Sequence, residues 1–149
     1  MKHGKLYLIP TPIGDRPVWD VLTASNRAVL DALDYFIVED IRSARRFLSK
    51  AGIQRPIDTL QFAELNEHTT PQEVSALFAP LLQGVNAGLF SEAGLPGVAD
   101  PGADAVALAH RHGIEVIPLV GPSSILLPLQ ASGLNRQSIA FNGYLPIKQ

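Results

Sequence analysis

The sequence predicts an α/β fold, an αβα sandwich on a five-stranded parallel sheet. Short apolar segments of strand length alternate with longer segments whose apolar residues recur at helical spacing. The strand segments are almost continuously hydrophobic, which is typical of parallel strands covered on both faces. With 149 residues, 46% of them hydrophobic and 17% charged, the chain can bury one core of this kind.

The strand segments begin with Leu-Tyr-Leu-Ile, which Pro10 ends, and continue with Tyr-Phe-Ile-Val before two carboxylates. Three more short apolar runs follow at similar intervals. The predicted strands are residues 6–9, 35–38, 59–62, 87–90 and 115–119. The segments between them carry apolar residues at helical spacing, as at Val21, Ala24, Ala28 and Leu33. The predicted helices are residues 18–33, 41–51, 71–82, 103–112 and 123–131.

The composition excludes several kinds of chemistry. The chain has no cysteine, so disulfides, thiolate nucleophiles and cysteine-based zinc sites are excluded. The formal net charge of −2 predicts no broad basic surface, so a nucleic-acid contact would depend on local clusters such as Arg42, Arg45 and Arg46. The first residues contain no apolar stretch long enough for a signal peptide or a membrane span. We therefore expect a cytoplasmic protein that contacts no membrane.

The turn after the first strand reads Pro-Thr-Pro-Ile-Gly-Asp over residues 10–15. Two prolines remove backbone donors from this turn, so it is a poor phosphate cradle. Neither the dinucleotide glycine fingerprint nor a Walker loop occurs in the chain, which counts against a nucleotide-binding dehydrogenase or phosphotransferase domain. A ligand here should lack phosphate; alternatively, the segment is only a stiff connection.

Two adjacent carboxylates, Glu39 and Asp40, follow the second strand and invite a catalytic interpretation. The structural alternative is that Asp40 caps the next helix while Glu39 pairs with a nearby arginine. The polar loop after the third strand offers two more candidates, Glu67 and His68. The four histidines show no metal-ligand spacing, so no metal is expected.

The turn after the fourth strand, residues 91–102, contains three glycines and two prolines. Such a composition fixes an unusual backbone path with exposed amides. Asp100 is suited to cap the following helix, with Pro101 as its first residue. Capping leaves residues 91–96 unexplained, and there we expect ligand contact. After the fifth strand, Ser123 and Ser124 either cap a helix or allow a flat ring to approach.

Taken in order, these segments resemble the tetrapyrrole (corrin/porphyrin) methylase superfamily, and within it the ribosomal RNA small subunit methyltransferase I-like branch. The resemblance rests on seven segments that span almost the whole chain. They are residues 6–15, Glu39-Asp40 with Arg42, Asn66-Glu67, residues 91–102, residues 113–124, residues 131–134 and the Phe-Asn-Gly-Tyr-Leu-Pro of residues 141–146.

The resemblance implies an S-adenosyl-L-methionine-dependent methyltransferase that works as a homodimer on ribosomal RNA or the small ribosomal subunit, with a ribose 2′-hydroxyl as the acceptor. Catalytic candidates, chosen by location, are Glu39, Asp40 and Glu67. The implied cofactor-binding residues are Pro12, Ile13, Gly14, Ser91, Glu92, Ala93, Val98, Ser123 and Ser124.

The domain organisation implied by the resemblance is an N-terminal S-adenosylmethionine-binding domain over residues 1–135. A new strand-like run at residues 138–146 then suggests that residues 136–149 begin a second α/β domain that the sequence does not complete. Catalysis would then need more than this segment alone. Two further alternatives are methylation of a tetrapyrrole carbon and a non-catalytic module for cofactor binding or dimerisation.

Overall fold

A computed structural model describes residues 2–146 and confirms the predicted α/β architecture. All the strand pairs in these residues are parallel, and they form one five-stranded sheet in the order β3-β2-β4-β1-β5. The strands are β1 (Leu6–Leu8), β2 (Tyr35–Val38), β3 (Gln61–Glu64), β4 (Ala87–Phe90) and β5 (Val116–Pro118).

Helices follow the strands and cover both faces of the sheet. They are α1 (Val18–Val21), α2 (Ala24–Ala32), α3 (Ile41–Ala51), α4 (Pro71–Ala76), α5 (Ala79–Leu82), α6 (Gly102–Arg111) and α7 (Leu126–Ser132), with a short 3₁₀ helix at Ile57–Thr59. On one face, residues of α1 to α3 such as Leu30 and Leu48 pack on Phe36. On the other face, Phe78 and Ala105 belong to a second core. The inner strands β2 and β4 are therefore buried from both sides, as their hydrophobic sequences predict, whereas the edge strands β3 and β5 are only partly buried.

The register aligns the ends of the three inner strands. Leu89 of β4 lies opposite Leu8 of β1 on one side and Ile37 of β2 on the other. The chain leaves β1 and β2 toward the α1–α3 face, whereas it leaves β4 toward α6 on the opposite face. Neighbouring connections that diverge in this way open a crevice at the carboxyl ends of the strands, where ligands of such sheets bind.

Two of the predicted helices are divided. The helix expected over residues 18–33 ends at Val21, because Leu22 is extended and Thr23 starts a new helix by accepting a hydrogen bond from the Asn26 amide. The helix expected over residues 71–82 breaks between α4 and α5, since Pro80 lacks an amide hydrogen and clashes with the preceding turn.

Several other boundaries also differ from the sequence prediction. The third strand was expected at residues 59–62, but Thr59 ends a 3₁₀ turn in which its amide donates to the Pro56 carbonyl, so β3 starts at Gln61. The last helix starts at Leu126 instead of Ser123. The strand-like run does not form a strand in residues 138–146, which are exposed and irregular, and residues 147–149 lie outside the described part of the chain.

Candidate functional site

A crevice of about 180 Å³ opens at the carboxyl ends of β1, β2 and β4, beside α3. The turns after β1 and β4, called below the β1 turn (residues 9–17) and the β4 turn (residues 91–101), supply part of its lining together with the end of β2. The lining residues are Thr11, Pro12, Gly14, Arg16, Val18, Val38, Glu39, Asp40, Ser43, Ala44, Arg46, Phe47, Lys50, Phe90, Ser91 and Glu92.

The β1 and β4 turns are joined by a backbone bridge between Thr11 and Gly94. Each amide donates to the other residue's carbonyl oxygen at 3.0 Å. The buried Thr11 hydroxyl also donates to the Ser91 carbonyl, at 3.4 Å. Gly94 adopts φ of 74°, a left-handed conformation that strongly favours glycine. The pairing therefore favours glycine at position 94.

A third turn, the β5 turn (residues 119–125), packs against the other two. A Cβ atom on Gly121 would lie 2.1 Å from Cβ of Pro10, and one on Gly94 would lie 3.4 Å from the Pro122 carbonyl oxygen. The buried Asn26 side chain donates to the Val120 carbonyl at 2.9 Å and so ties this turn to α2. The turns of β1, β4 and β5 thus lie side by side, as the order β4-β1-β5 requires.

Four of the predicted cofactor-binding residues, Pro12, Gly14, Ser91 and Glu92, line the crevice. Ile13 is close to the same bridge, because its Cγ1 lies 3.7 Å from the position of a Cβ on Gly94. The Ala93 carbonyl accepts a hydrogen bond from the Ser91 hydroxyl at 3.4 Å. Val98 is exposed on the β4 turn.

The two serines of the β5 turn lie outside that crevice, because β1 separates β5 from β4 and β2 in the sheet. The Ser123 hydroxyl accepts from the amides of Ile125 and Leu126 at 3.2 and 3.1 Å, and so helps to start α7. The Ser124 and Tyr144 hydroxyls are 2.6 Å apart. Tyr144 therefore brings the C-terminal described segment to the β5 turn.

Asp100 organises the β4 turn. Its carboxylate accepts hydrogen bonds from the Gly97 amide, at 2.9 and 3.1 Å, and from the Gly102 amide at 2.7 Å. The N-cap of α6 is Pro101 and not Asp100 as predicted, and the helix begins at Gly102, one residue away from the predicted start. Ala99 adopts φ of 57°, which is uncommon for a residue with a side chain.

Glu39 is half-buried where the crevice meets the β4 turn. Burial raises the pKa of its carboxyl above the usual value, and the nearby carboxylates of Asp100 and Glu92 raise it further. The Asn66 side chain donates to the Glu39 carbonyl oxygen at 3.3 Å and fixes the backbone there. A carboxylate with a raised pKa is a better proton acceptor than an ordinary surface glutamate.

Asp40 acts as the N-cap of α3, the structural role considered for it from the sequence. Its carboxylate accepts from the Ser43 amide at 2.8 Å. That hydrogen bond lowers the pKa of Asp40, and the positive charges of Arg42 and Arg46 lower it further. Its carboxylate is therefore held in the ionised form.

Glu67 and His68 lie in the exposed loop after β3. Their side chains are both 84% exposed, and His68 Nε2 is 3.5 Å from the Glu67 carboxylate. Both line a second, wider hollow that also borders Glu39 and Glu92. The loop and the crevice therefore meet at Glu39.

The cationic side of the crevice was only partly predicted. Arg46 was expected in a local basic cluster, but Arg16 and Lys50 also line the crevice. Ser43, Arg46 and Lys50 are three and four residues apart, which places them on one face of α3. This spacing could have indicated from the sequence that Arg46 and Lys50 both face the crevice. Arg45 lies elsewhere, 3.7 Å from Asp58 and over the Phe62 ring.

Two general properties of residues 2–146 bear on the kind of site. No group of three or more histidine, aspartate or glutamate side chains in this range is arranged to hold a metal ion. No helix in the described part of the chain is long and apolar enough to cross a membrane.

Comparison with known proteins gives a consistent set of relatives, although no family model matches the chain. It is 38% identical to ribosomal RNA small subunit methyltransferase I of Vibrio cholerae, over 96% of the chain and 47% of the relative. It is 37% identical to the Escherichia coli O157:H7 protein of the same name, over 98% of the chain and 48% of the relative. For the Mesorhizobium japonicum protein the identity is 39%, over 96% and 46%.

The chain spans about half the length of the curated relatives it matches. The match covers 143 to 146 residues in the three relatives named above. The chain is therefore homologous, over almost its whole length, to part of the proteins named ribosomal RNA small subunit methyltransferase I, which belong to the tetrapyrrole methylase superfamily.

Proposed function

We propose that this chain is the methyl-donor-binding part of an S-adenosyl-L-methionine-dependent methyltransferase that acts on a ribose 2′-hydroxyl of small-subunit ribosomal RNA. The observation that carries the proposal is the contact of the β1, β4 and β5 turns at one end of the sheet, through the Thr11–Gly94 bridge and the packing of Gly121 on Pro10. The names of the relatives support the reaction and the class of acceptor.

The residues of these turns suit a phosphate-free adenosyl sulfonium. Pro10 and Pro12 cannot donate backbone hydrogen bonds to a phosphate. Gly94 and Gly121 have no side chains, so nothing projects from their backbone into the space between the turns. Glu39 and Glu92 add negative charge beside a cationic ligand. The proposed cofactor-facing residues remain Pro12, Ile13, Gly14, Ser91, Glu92, Ala93, Val98, Ser123 and Ser124.

When bound, S-adenosyl-L-methionine supplies a methyl group on a positively charged sulfur, which departs as a neutral sulfide. The turns hold the donor and acceptor in line and exclude water from between them. As the ribose oxygen takes the methyl group, Glu39 accepts the hydroxyl proton, so that the carboxylate becomes a carboxylic acid and later releases the proton to solvent. Its raised pKa suits this role.

Asp40 and Glu67 are the other catalytic candidates, and their surroundings suggest supporting roles. Asp40 stabilises α3, which carries the cations of the crevice. Glu67 is exposed and is 3.5 Å from His68, in a loop that could contact a large substrate. We therefore rank Glu39 first as the proton acceptor.

The same proposal extends to assembly and domain organisation. Residues 1–135 would form the donor-binding domain and residues 136–149 would begin a second one, in a cytoplasmic homodimer. Large apolar side chains exposed around α7 and beyond it support a covering partner. They are Val120, Leu126, Leu127, Leu134, Ile139, Phe141, Tyr144 and Leu145. Light scattering of the protein made from its complete reading frame tests the dimer.

Isothermal titration with S-adenosyl-L-methionine tests the donor. Binding is expected, and no heat with this ligand combined with binding of a dinucleotide would rule the proposal out. Mass spectrometry of small-subunit ribosomal RNA, incubated with the protein from the complete reading frame and the donor, tests the acceptor. One new ribose methyl group is expected, whereas methylation of a tetrapyrrole carbon alone would replace the proposed acceptor.

A further inference from the structure

The crevice beside α3 is electrically polarised. Glu39 and Glu92 lie at the strand ends, and the Asp100 carboxylate lies close to Glu39. The lining also includes three cations, Arg16 of the β1 turn and Arg46 and Lys50 of α3, together with the Asp40 carboxylate that caps the start of α3. A ligand with one anionic end and one hydroxyl end would therefore bind in one orientation only.

Arg16, Arg46 and Lys50 form no ion pair within 4.0 Å in the described residues. In residues 2–146, the arginine and lysine side chains within 4.0 Å of a carboxylate are Lys5, Arg27, Arg45 and Arg55. In the described structure Arg16, Arg46 and Lys50 make no such contact, and they converge on a concave surface of a chain whose net charge is −2. Their charge is therefore available to an anionic ligand.

Chemistry connects this anion to the proposed acceptor. In RNA a ribose 2′-hydroxyl is adjacent to the 3′-phosphodiester of the same nucleotide, so a site that presents the hydroxyl to Glu39 must also accommodate that phosphate. The acidic strand ends would repel it. Arginine and lysine are the side chains that hold phosphodiesters.

We propose that Arg16, Arg46 and Lys50 bind the phosphodiester next to the methylated ribose and thereby orient the 2′-hydroxyl toward Glu39. This inference rests on the proposed function and deepens it by naming the residues that hold the acceptor. The crevice would then have one end at α3 that binds the phosphodiester and another end, at β2 and β4, that binds the ribose hydroxyl.

The test measures binding of unmodified small-subunit ribosomal RNA, transcribed in vitro, over a series of salt concentrations. The protein is made from its complete reading frame. The double variant Arg46→Gln/Lys50→Gln should bind about tenfold more weakly at moderate salt, and the slope of log Kd against log salt should fall by about 1.4 for two lost single-strand phosphate contacts. Its affinity for S-adenosyl-L-methionine should stay the same.

Two further variants control for general charge and for folding. Arg111→Gln removes an exposed arginine at the far end of α6 and should leave the salt slope unchanged. Arg46→Lys/Lys50→Arg keeps both charges and should restore the slope of the unmodified protein.

Three results would contradict the inference. An unchanged slope in the double glutamine variant would show that the α3 cations do not contact phosphate. Loss of S-adenosyl-L-methionine affinity with unchanged RNA binding would assign them to the donor's carboxylate. Failure of the unmodified protein to bind the donor would instead remove the proposed function, and this inference with it.

Discussion

Thr11 and Gly94 exchange a pair of backbone hydrogen bonds, each 3.0 Å long, across two turns that are about 80 residues apart in the sequence. This bridge extends the sheet pairing of β1 and β4 by an antiparallel contact beyond the strand ends. It fixes the relative position of the two turns that we propose face the methyl donor.

The first prediction concerns Gly94→Ala. Because Gly94 has φ of 74°, a side chain there should cost about 1–2 kcal/mol of unfolding free energy. Gly133→Ala is the matched control, since Gly133 has φ of 72° with no atom within 4 Å of a new Cβ. Urea unfolding should give similar losses for both, but only Gly94→Ala should weaken S-adenosyl-L-methionine binding. Equal donor affinity in the two variants would argue against a role of the bridge.

The second prediction concerns the packing of the β5 turn. A Cβ on Gly121 would lie 2.1 Å from the rigid ring of Pro10, so the backbone must move, and Gly121→Ala should lose about 1–3 kcal/mol of stability. Gly14→Ala adds the same methyl group where no atom lies within 4 Å and should change stability by less than about 0.5 kcal/mol. Thermal unfolding of both variants checks this difference, and similar melting temperatures would contradict it.

The third prediction concerns Glu39→Gln. The raised pKa of Glu39 means that its contribution to stability is fully present below about pH 4.5, the ordinary value, and is lost as the pH rises through the higher pKa of the folded state. Replacement by glutamine should therefore stabilise the protein more at pH 7 than at pH 4. If Glu39 accepts the proton, kcat should fall by roughly 10²- to 10⁴-fold.

Glu64→Gln, at an exposed position of β3, is the control for the third prediction and should change neither property. Denaturant unfolding at the two pH values and a methyl-transfer assay are the measurements. A Glu39→Gln protein with unchanged kcat would remove Glu39 as the proton acceptor, whatever its stability.

The fourth prediction separates the two roles considered for Asp40. Asp40→Ala removes the acceptor for the Ser43 amide and should lower the melting temperature, whereas Asp40→Ser can still cap α3. If the capping role is the main one, Asp40→Ser should retain both stability and methyl transfer. A stable but inactive Asp40→Ser protein would support a catalytic carboxylate instead.

The fold followed from local sequence because most of the strands are short, apolar and ended by a polar or proline-containing turn; β3, with polar residues at both ends, is the exception. The alternation of strand and helix then allows few arrangements other than a parallel sheet. The errors fall where one residue overrides a periodic pattern, as Thr23 does by capping α2 and Pro80 does by breaking the helix after α4.

The candidate site was less predictable, because its walls depend on which strands are neighbours. Ser91 and Glu92 could be placed near Pro12 from the sequence, since all lie at strand ends. The order β4-β1-β5, which places Ser123 beyond the crevice, depends on the tertiary structure. For the same reason Arg16 and Lys50, from two separate elements, could not be brought together by local spacing.

A crystal structure of the protein with S-adenosylhomocysteine would test the central claim most directly. We predict electron density for the adenosyl group against the β1, β4 and β5 turns, within contact distance of Pro12, Ser91 and Ser123. Density at another edge of the sheet, or a ligand bound through other elements, would contradict the account.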